Sequence, residues 1–122
     1  MSCYETLRRQ EDFDRVFERG DWRRDAGFAL GVLLRSDDQP ARVGFVAGRR
    51  IGRPVHRNRA RRRLREAFRG AAQGLKPGAD LVVLARAGTL EMQFARLRDC
   101  LHRALAGGGL LEDAGGSEGG RP

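Results

Sequence analysis

Ten arginines stand between positions 48 and 69, at 49, 50, 53, 57, 59, 61, 62, 63, 65 and 69, and Glu66 is the single acid among them. This segment carries +9 in 22 residues, while the whole chain carries +8, so the other 100 residues together sum to −1. The protein is therefore a nearly neutral body bearing one concentrated positive patch, the electrostatic footprint of a polyanion binder. A charge run is more commonly a solvated helix face, but such a face interleaves acids at i, i+4 to relieve repulsion. Here only Glu66 does so, and a bound polyanion would relieve the rest.

Much of the run reads as one helix, from Arg57 to about Ala72. Ala60, Leu64, Ala67, Phe68 and Ala71 form its apolar stripe. At about 100° per residue, Asn58, Arg62, Arg65 and Arg69 fall on the opposite side. Arg61 lies beside the stripe, and Arg59 and Arg63 flank it from the other direction, where long stems can reach outward. The loop before it, Gly48-Arg49-Arg50-Ile51-Gly52-Arg53-Pro54, extends the patch. Its glycines could bring backbone N–H groups close to phosphates.

Charge alone does not separate RNA from DNA. There are no dimerising heptads, no helix-turn-helix spacing and no zinc-ligand pattern. A basic helix presented from a sheet beside aromatic residues suits irregular or single-stranded RNA better.

The elements that must carry this helix are legible around it. Phe13, Val16 and Phe17 at i, i+3, i+4 mark an amphipathic helix over residues 10–19, with Gly20 as a stop. Alternation predicts strands over 26–35 and 42–47, separated by a polar turn at 36–40, and the run Leu81-Val82-Val83-Leu84 predicts a buried strand over 80–86. Thr89 is placed to cap a last helix through Leu90, Phe94, Leu97, Leu101 and Leu105. The expected order is α-β-β-α-β-α: an α+β fold, a small sheet with helices packed on it in a split βαβ arrangement. At 122 residues this is one domain, expected over 1–106. Residues 107–122 hold seven glycines with net charge −2 and are expected to be a disordered tail.

Other candidates carry less. Phe13 and Phe17 could be core or a stacking platform, and Trp22 is open between a buried anchor and an exposed stacking residue. Cys100 and His102, with Cys3 distant, lack convincing zinc spacing. No Ser-His-Asp arrangement is readable. The acids at 11, 12 and 14 suit a helix N-terminus better than a nuclease site. No run approaches the ~20 apolar residues of a membrane span, and the first ten residues do not resemble a signal peptide, so a cytoplasmic location with two free thiols is expected.

The stretch from Arg42 to Phe68, in which Arg49-Arg50-Ile51-Gly52-Arg53 leads into Arg57-Asn58-Arg59-Ala60-Arg61-Arg62-Arg63-Leu64-Arg65, resembles the signature of the bacterial ribonuclease P protein subunit. In that family, basic residues, a spacer and Gly precede an Arg-Asn-Arg block that continues into a basic helix. Leu7, Phe13, Val16-Phe17 and Gly20 resemble its first helix, and residues 80–106 its last strand and helix. The resemblance implies a left-handed βαβ crossover, against the usual hand. It also implies a ribonucleoprotein that removes the 5′ leader of precursor tRNA, its large RNA subunit performing Mg²⁺-dependent hydrolysis. By matching position, Arg49, Arg50, Arg53, Arg57, Asn58, Arg59, Arg61, Arg62 and Arg65 would contact RNA, while Phe13 and Phe17 would line a leader-binding cleft. No residue of this chain is expected to be catalytic or to hold metal, and no protein partner or membrane contact is expected. Relatives often place an aromatic residue where Gly31 sits, so part of the stacking surface is expected to be missing.

The same residues also fit two rival functions. One is a binder of ribosomal or other structured RNA that uses the same helix. The other is a metal-dependent nuclease, for which Asp80 is the only well-placed acid.

Overall fold

The computed structural model describes residues 3–112. Its elements run β1 (Tyr4–Thr6), α1 (Gln10–Arg19), β2 (Asp21–Arg24), β3 (Phe28–Leu34) and β4 (Ala41–Val46), then a 3₁₀ turn (Arg49–Ile51), α2 (Pro54–Ala71), β5 (Ala79–Ala85), α3 (Ala87–Glu91) and α4 (Phe94–Gly107). The sheet order is β1-β4-β5-β3-β2, with β4 parallel to both β1 and β5, and β3 antiparallel to both β5 and β2. The α+β expectation holds. β5 enters between β3 and β4, so these sequence neighbours do not pair.

Helices cover both faces, which is why β5 is continuously apolar from Leu81 to Ala85 rather than alternating. On one side Leu81 and Val83 pack with Phe28 and Leu30 of β3 and Val43 of β4. They meet the α2 stripe of Ala60, Leu64, Ala67, Phe68 and Ala71, and Leu97, Leu101 and Leu105 of α4. On the other side Val82 packs with Val16 of α1 and with Leu7, while Phe13, Trp22, Leu33 and Val46 surround them.

α1 is also tied down by charge. Asp12 and Asp80 are each only 3% exposed. Arg42 reaches both: Nε and Nη2 donate to Asp80 at 2.8 and 2.7 Å, and Nη1 donates to Asp12 at 3.2 Å. Arg35 also donates to Asp80, and to the carbonyls of Gln39 and Pro40. The bonds to Asp80 raise the Arg42 guanidinium further above its ordinary range. Asp12 therefore serves the sheet rather than only its own helix end, and Asp80 is committed to two arginines.

Three expectations are corrected. α2 starts at Pro54 rather than Arg57, with proline in the first turn, where its missing N–H costs nothing. The last helix is two pieces, broken at Met92–Gln93. Thr89 caps the first piece from within: at the third position of α3 its hydroxyl accepts from the Arg86 N–H at 3.1 Å, as in a capping box, and donates to the Gly27 carbonyl, while α4 begins after Gln93. Finally, the domain does not end at Ala106. α4 runs to Gly107, Leu110 is 6% exposed within the core, and Leu111 bridges to Leu75. The Lys76 N–H donates to Leu110 at 2.8 Å and the Glu112 N–H to Gly74 at 2.7 Å. Residues 107–112 thus belong to the domain, because two leucines among the glycines find apolar and backbone partners. The rest of the expected tail, 113–122, lies outside the described residues.

Candidate nucleic-acid interface

α2 is held on the sheet by its alanine, leucine and phenylalanine stripe, so its arginines face outward. Arg59, Arg62, Arg65 and Asn58 are exposed, as are Arg49, Arg50 and Arg53 in the segment before it, while Arg57 and Arg61 are half-buried. Arg57 donates to the Gly52 carbonyl at 3.3 Å, and Arg61 donates to the Asn58 side chain. The first turn of α2 contains no acid and Arg53 provides no side-chain cap. The positive end of the helix dipole therefore adds to the arginine charge and favours an anion there.

Arg63 is set apart from its neighbours. Its Nε donates to the Thr89 carbonyl at 2.8 Å and its Nη2 to the Met92 carbonyl. It fastens α3 and the break after it to α2, and so has a structural role within the charged run.

The glycine loop is shaped differently from the expectation. Gly52 has φ +126°, a conformation that L side chains rarely adopt. Its N–H donates to the Arg49 carbonyl at 3.0 Å, and that of Ile51 to Gly48 at 3.1 Å. These two amides close the 3₁₀ turn instead of pointing to an anion, and the turn carries Arg49 and Arg50.

That turn borders a cleft of about 860 Å³ on the α1 side of the sheet. Phe17, 45% exposed, stacks on Trp22 with ring centroids 5.3 Å apart and planes 21° from parallel. The Trp22 Nε1 donates to the Val16 carbonyl at 3.3 Å, which holds the indole in place. Ala29 and Leu84 line the floor, and Arg24, Arg50 and Arg86 line the walls. An aromatic pair ringed by guanidinium groups can stack a base while pairing its phosphate. Sequence reasoning missed Arg24 and Arg86 here and left Trp22 open between anchor and stacking residue. Trp22 and Arg24 sit on a short edge strand without an apolar pattern, and Arg86 is brought in by the end of β5.

Phe13 does not share this cleft. Its ring lies over Gly44, where a Cβ would stand 2.4 Å from it, and it lines a separate hollow. The structure thus joins Phe17 with Arg50, and places Phe13 elsewhere.

Among the described residues no group of three or more His, Cys, Asp or Glu is placed to hold a metal ion. No helix there is long and apolar enough to cross a membrane. Cys3 and Cys100 are free thiols, one exposed and one buried.

The chain is similar to known proteins in both sequence and fold. The ribonuclease P protein component of Symbiobacterium thermophilum is 38% identical over 103 residues, 84% of this chain and 90% of the relative. That of Gluconacetobacter diazotrophicus is 41% identical over 106 residues, 85% of this chain and 90% of the relative. Among solved structures, the RNase P protein of Thermotoga maritima superposes with a TM-score of 0.67 at 29% identity, covering 81% of this chain and 96% of that one. The Staphylococcus aureus RNase P protein shares the fold, with a TM-score of 0.72 at 21% identity over 88% of this chain and 97% of that one. The ribonuclease P family model matches residues 1–107, and the chain belongs to that family.

Proposed function

We propose that this chain is the RNA-binding protein cofactor of ribonuclease P. In this reading α2 and the turn before it dock on the catalytic RNA. The Phe17–Trp22 cleft holds the 5′ leader of precursor tRNA, and the complex removes that leader by Mg²⁺-dependent cleavage. The observation that carries the reading is the adjacency of the two surfaces. Arg50 belongs to the basic segment and also lines the aromatic cleft, so an RNA docked along α2 would bring its substrate's single strand to the stacking pair.

The protein's part is binding and positioning. Flexible single-stranded leader loses conformational freedom when bound, and stacking, worth roughly 1–3 kcal/mol per base, would offset that loss. Guanidinium charge lowers the repulsion between two polyanions brought together. The Mg²⁺ ions belong to the RNA subunit in this reading. No step is assigned to a side chain of this protein, and Asp12 and Asp80 are engaged by Arg42.

Competition binding tests the reading against a general structured-RNA binder. The full chain is bound to transcribed ribonuclease P RNA and challenged with a ribosomal RNA fragment of equal length at physiological salt. Retention of the ribonuclease P RNA against an excess of competitor is expected. Equal displacement by the ribosomal fragment would overturn the assignment in favour of the general binder.

A further inference from the structure

A second hollow, about 340 Å³, opens at the opposite edge of the sheet, where β1 ends and leaves β4 uncovered. β1 pairs only as far as Thr6 with Val43, and the Leu7 N–H donates to the Val43 carbonyl at 2.9 Å. Backbone groups alternate sides along a strand, so Phe45, two residues on, turns its N–H and C=O to this same edge. No backbone partner meets them there among the described residues. An unpaired donor and acceptor on one residue are matched to the edge of a base.

The side chains around them fit the remainder of a nucleotide. The Phe13 ring lies across Gly44 as an apolar wall. The Tyr4 and Phe45 rings each meet Phe68 edge-on, at 5.2 and 5.6 Å, which fixes both. Arg65 sits over the Phe45 ring with its guanidinium carbon 5.7 Å from the centroid. Arg69, one turn further along α2, reaches the same hollow. Neither arginine makes an ion pair among the described residues.

We propose that this hollow takes one unpaired nucleotide of a bound RNA, its base against Phe13 and the Phe45 backbone edge and its phosphate on Arg65 and Arg69. The inference rests on the reading of this chain as an RNA binder. Continuity with α2 favours RNA over a free small anion. A base within a duplex could not present its edge here, so the nucleotide is a splayed one. The volume lies near the lower end for small-ligand sites, roughly 300 Å³ and upward, which leaves room for one nucleotide.

Ultraviolet cross-linking of the full chain to transcribed ribonuclease P RNA, at RNA concentrations that saturate the wild type and Arg69→Ala alike, tests the proposal. Trypsin cuts after Arg42 and Arg49, so it isolates a peptide over residues 43–49 in which Phe45 is the only aromatic residue. A nucleotide adduct on that peptide is expected, falling by roughly tenfold in Arg69→Ala, the loss of one charge-assisted contact. Arg69 is exposed, and the Trp22 emission spectrum checks that the variant is folded. Adducts on the 16–19, β2 or α2 peptides, with none on 43–49 or on the Phe13 peptide 10–15, would overturn this site and leave the RNA-binding reading standing. A 43–49 adduct unchanged in Arg69→Ala would overturn the phosphate contact and with it the proposed pose. Failure of the wild-type chain to bind the RNA at all would overturn both.

Discussion

The indole of Trp22 lies over Gly31, its partner across the β2–β3 pair, with Cζ2 2.5 Å from where a Cβ on Gly31 would stand. The expectation that Gly31 leaves a gap in the stacking surface is thereby corrected. A ring covers that position from the neighbouring strand, and only glycine leaves it room. Gly31→Ala should lift the indole and break its stack on Phe17. Because Trp22 is the only tryptophan, its emission maximum should shift to the red. Affinity for a single-stranded leader oligonucleotide should weaken by about 1–3 kcal/mol. An unchanged spectrum in Gly31→Ala would contradict the packing described.

Arg62 and Arg63 are adjacent, and opposite results are expected of them. Arg62 is exposed on α2, so Arg62→Ala should leave the melting temperature unchanged. It should reduce the slope of log K against log[salt] by about 1, in a wild-type slope of roughly −3.5 to −4.5 for about five neutralised phosphates. Arg63→Ala strips two bonds from the Thr89 and Met92 carbonyls and should lower stability by about 1–3 kcal/mol with little change in that slope. Thermal denaturation and salt titration of both variants separate the roles.

Most of the α2 assignment was legible beforehand. The stripe read from helical spacing contains the five side chains that are buried on α2, because period 3.6 and burial have the same cause there. Arg63 was not separable from its neighbours, since its role depends on two carbonyls 26 and 29 residues away. β1 and β2 were missed for a related reason: Tyr-Glu-Thr and Asp-Trp-Arg-Arg show no alternation and are strands only because β4 and β3 offer edges to pair with. The break at Met92 was hidden because Leu90, Phe94 and Leu97 keep helical spacing across it.

Arg42 joins Asp12 of α1 to Asp80 of β5, so it sets where the Phe17 wall of the cleft stands. Arg42→Met keeps the stem and removes the charge, leaving two buried carboxylates, Asp80 held by Arg35 alone and Asp12 by the half-exposed Arg15 alone. A loss of about 2–4 kcal/mol in chemical denaturation is expected. A change under about 0.5 kcal/mol would show that the network contributes little.

Leu110 and Leu111 give the C-terminal segment a measurable role. A chain ending at Ala106 loses the buried Leu110 and the bridge to Leu75, and should be less stable than one ending at Glu112 by about 2–3 kcal/mol. Equal denaturation midpoints for the two truncations would restore the boundary expected from glycine content.

Cleavage of precursor tRNA by the ribonuclease P RNA, with and without this chain at limiting Mg²⁺, is the most direct measurement. The chain should stimulate cleavage of a long-leader substrate, with Phe17→Leu retaining RNA-subunit binding but losing the preference for the long leader over a one-nucleotide leader. If the chain gives no stimulation with either substrate, the assignment as the ribonuclease P cofactor is contradicted. If Phe17→Leu treats both substrates as the wild type does, the cleft does not hold the leader.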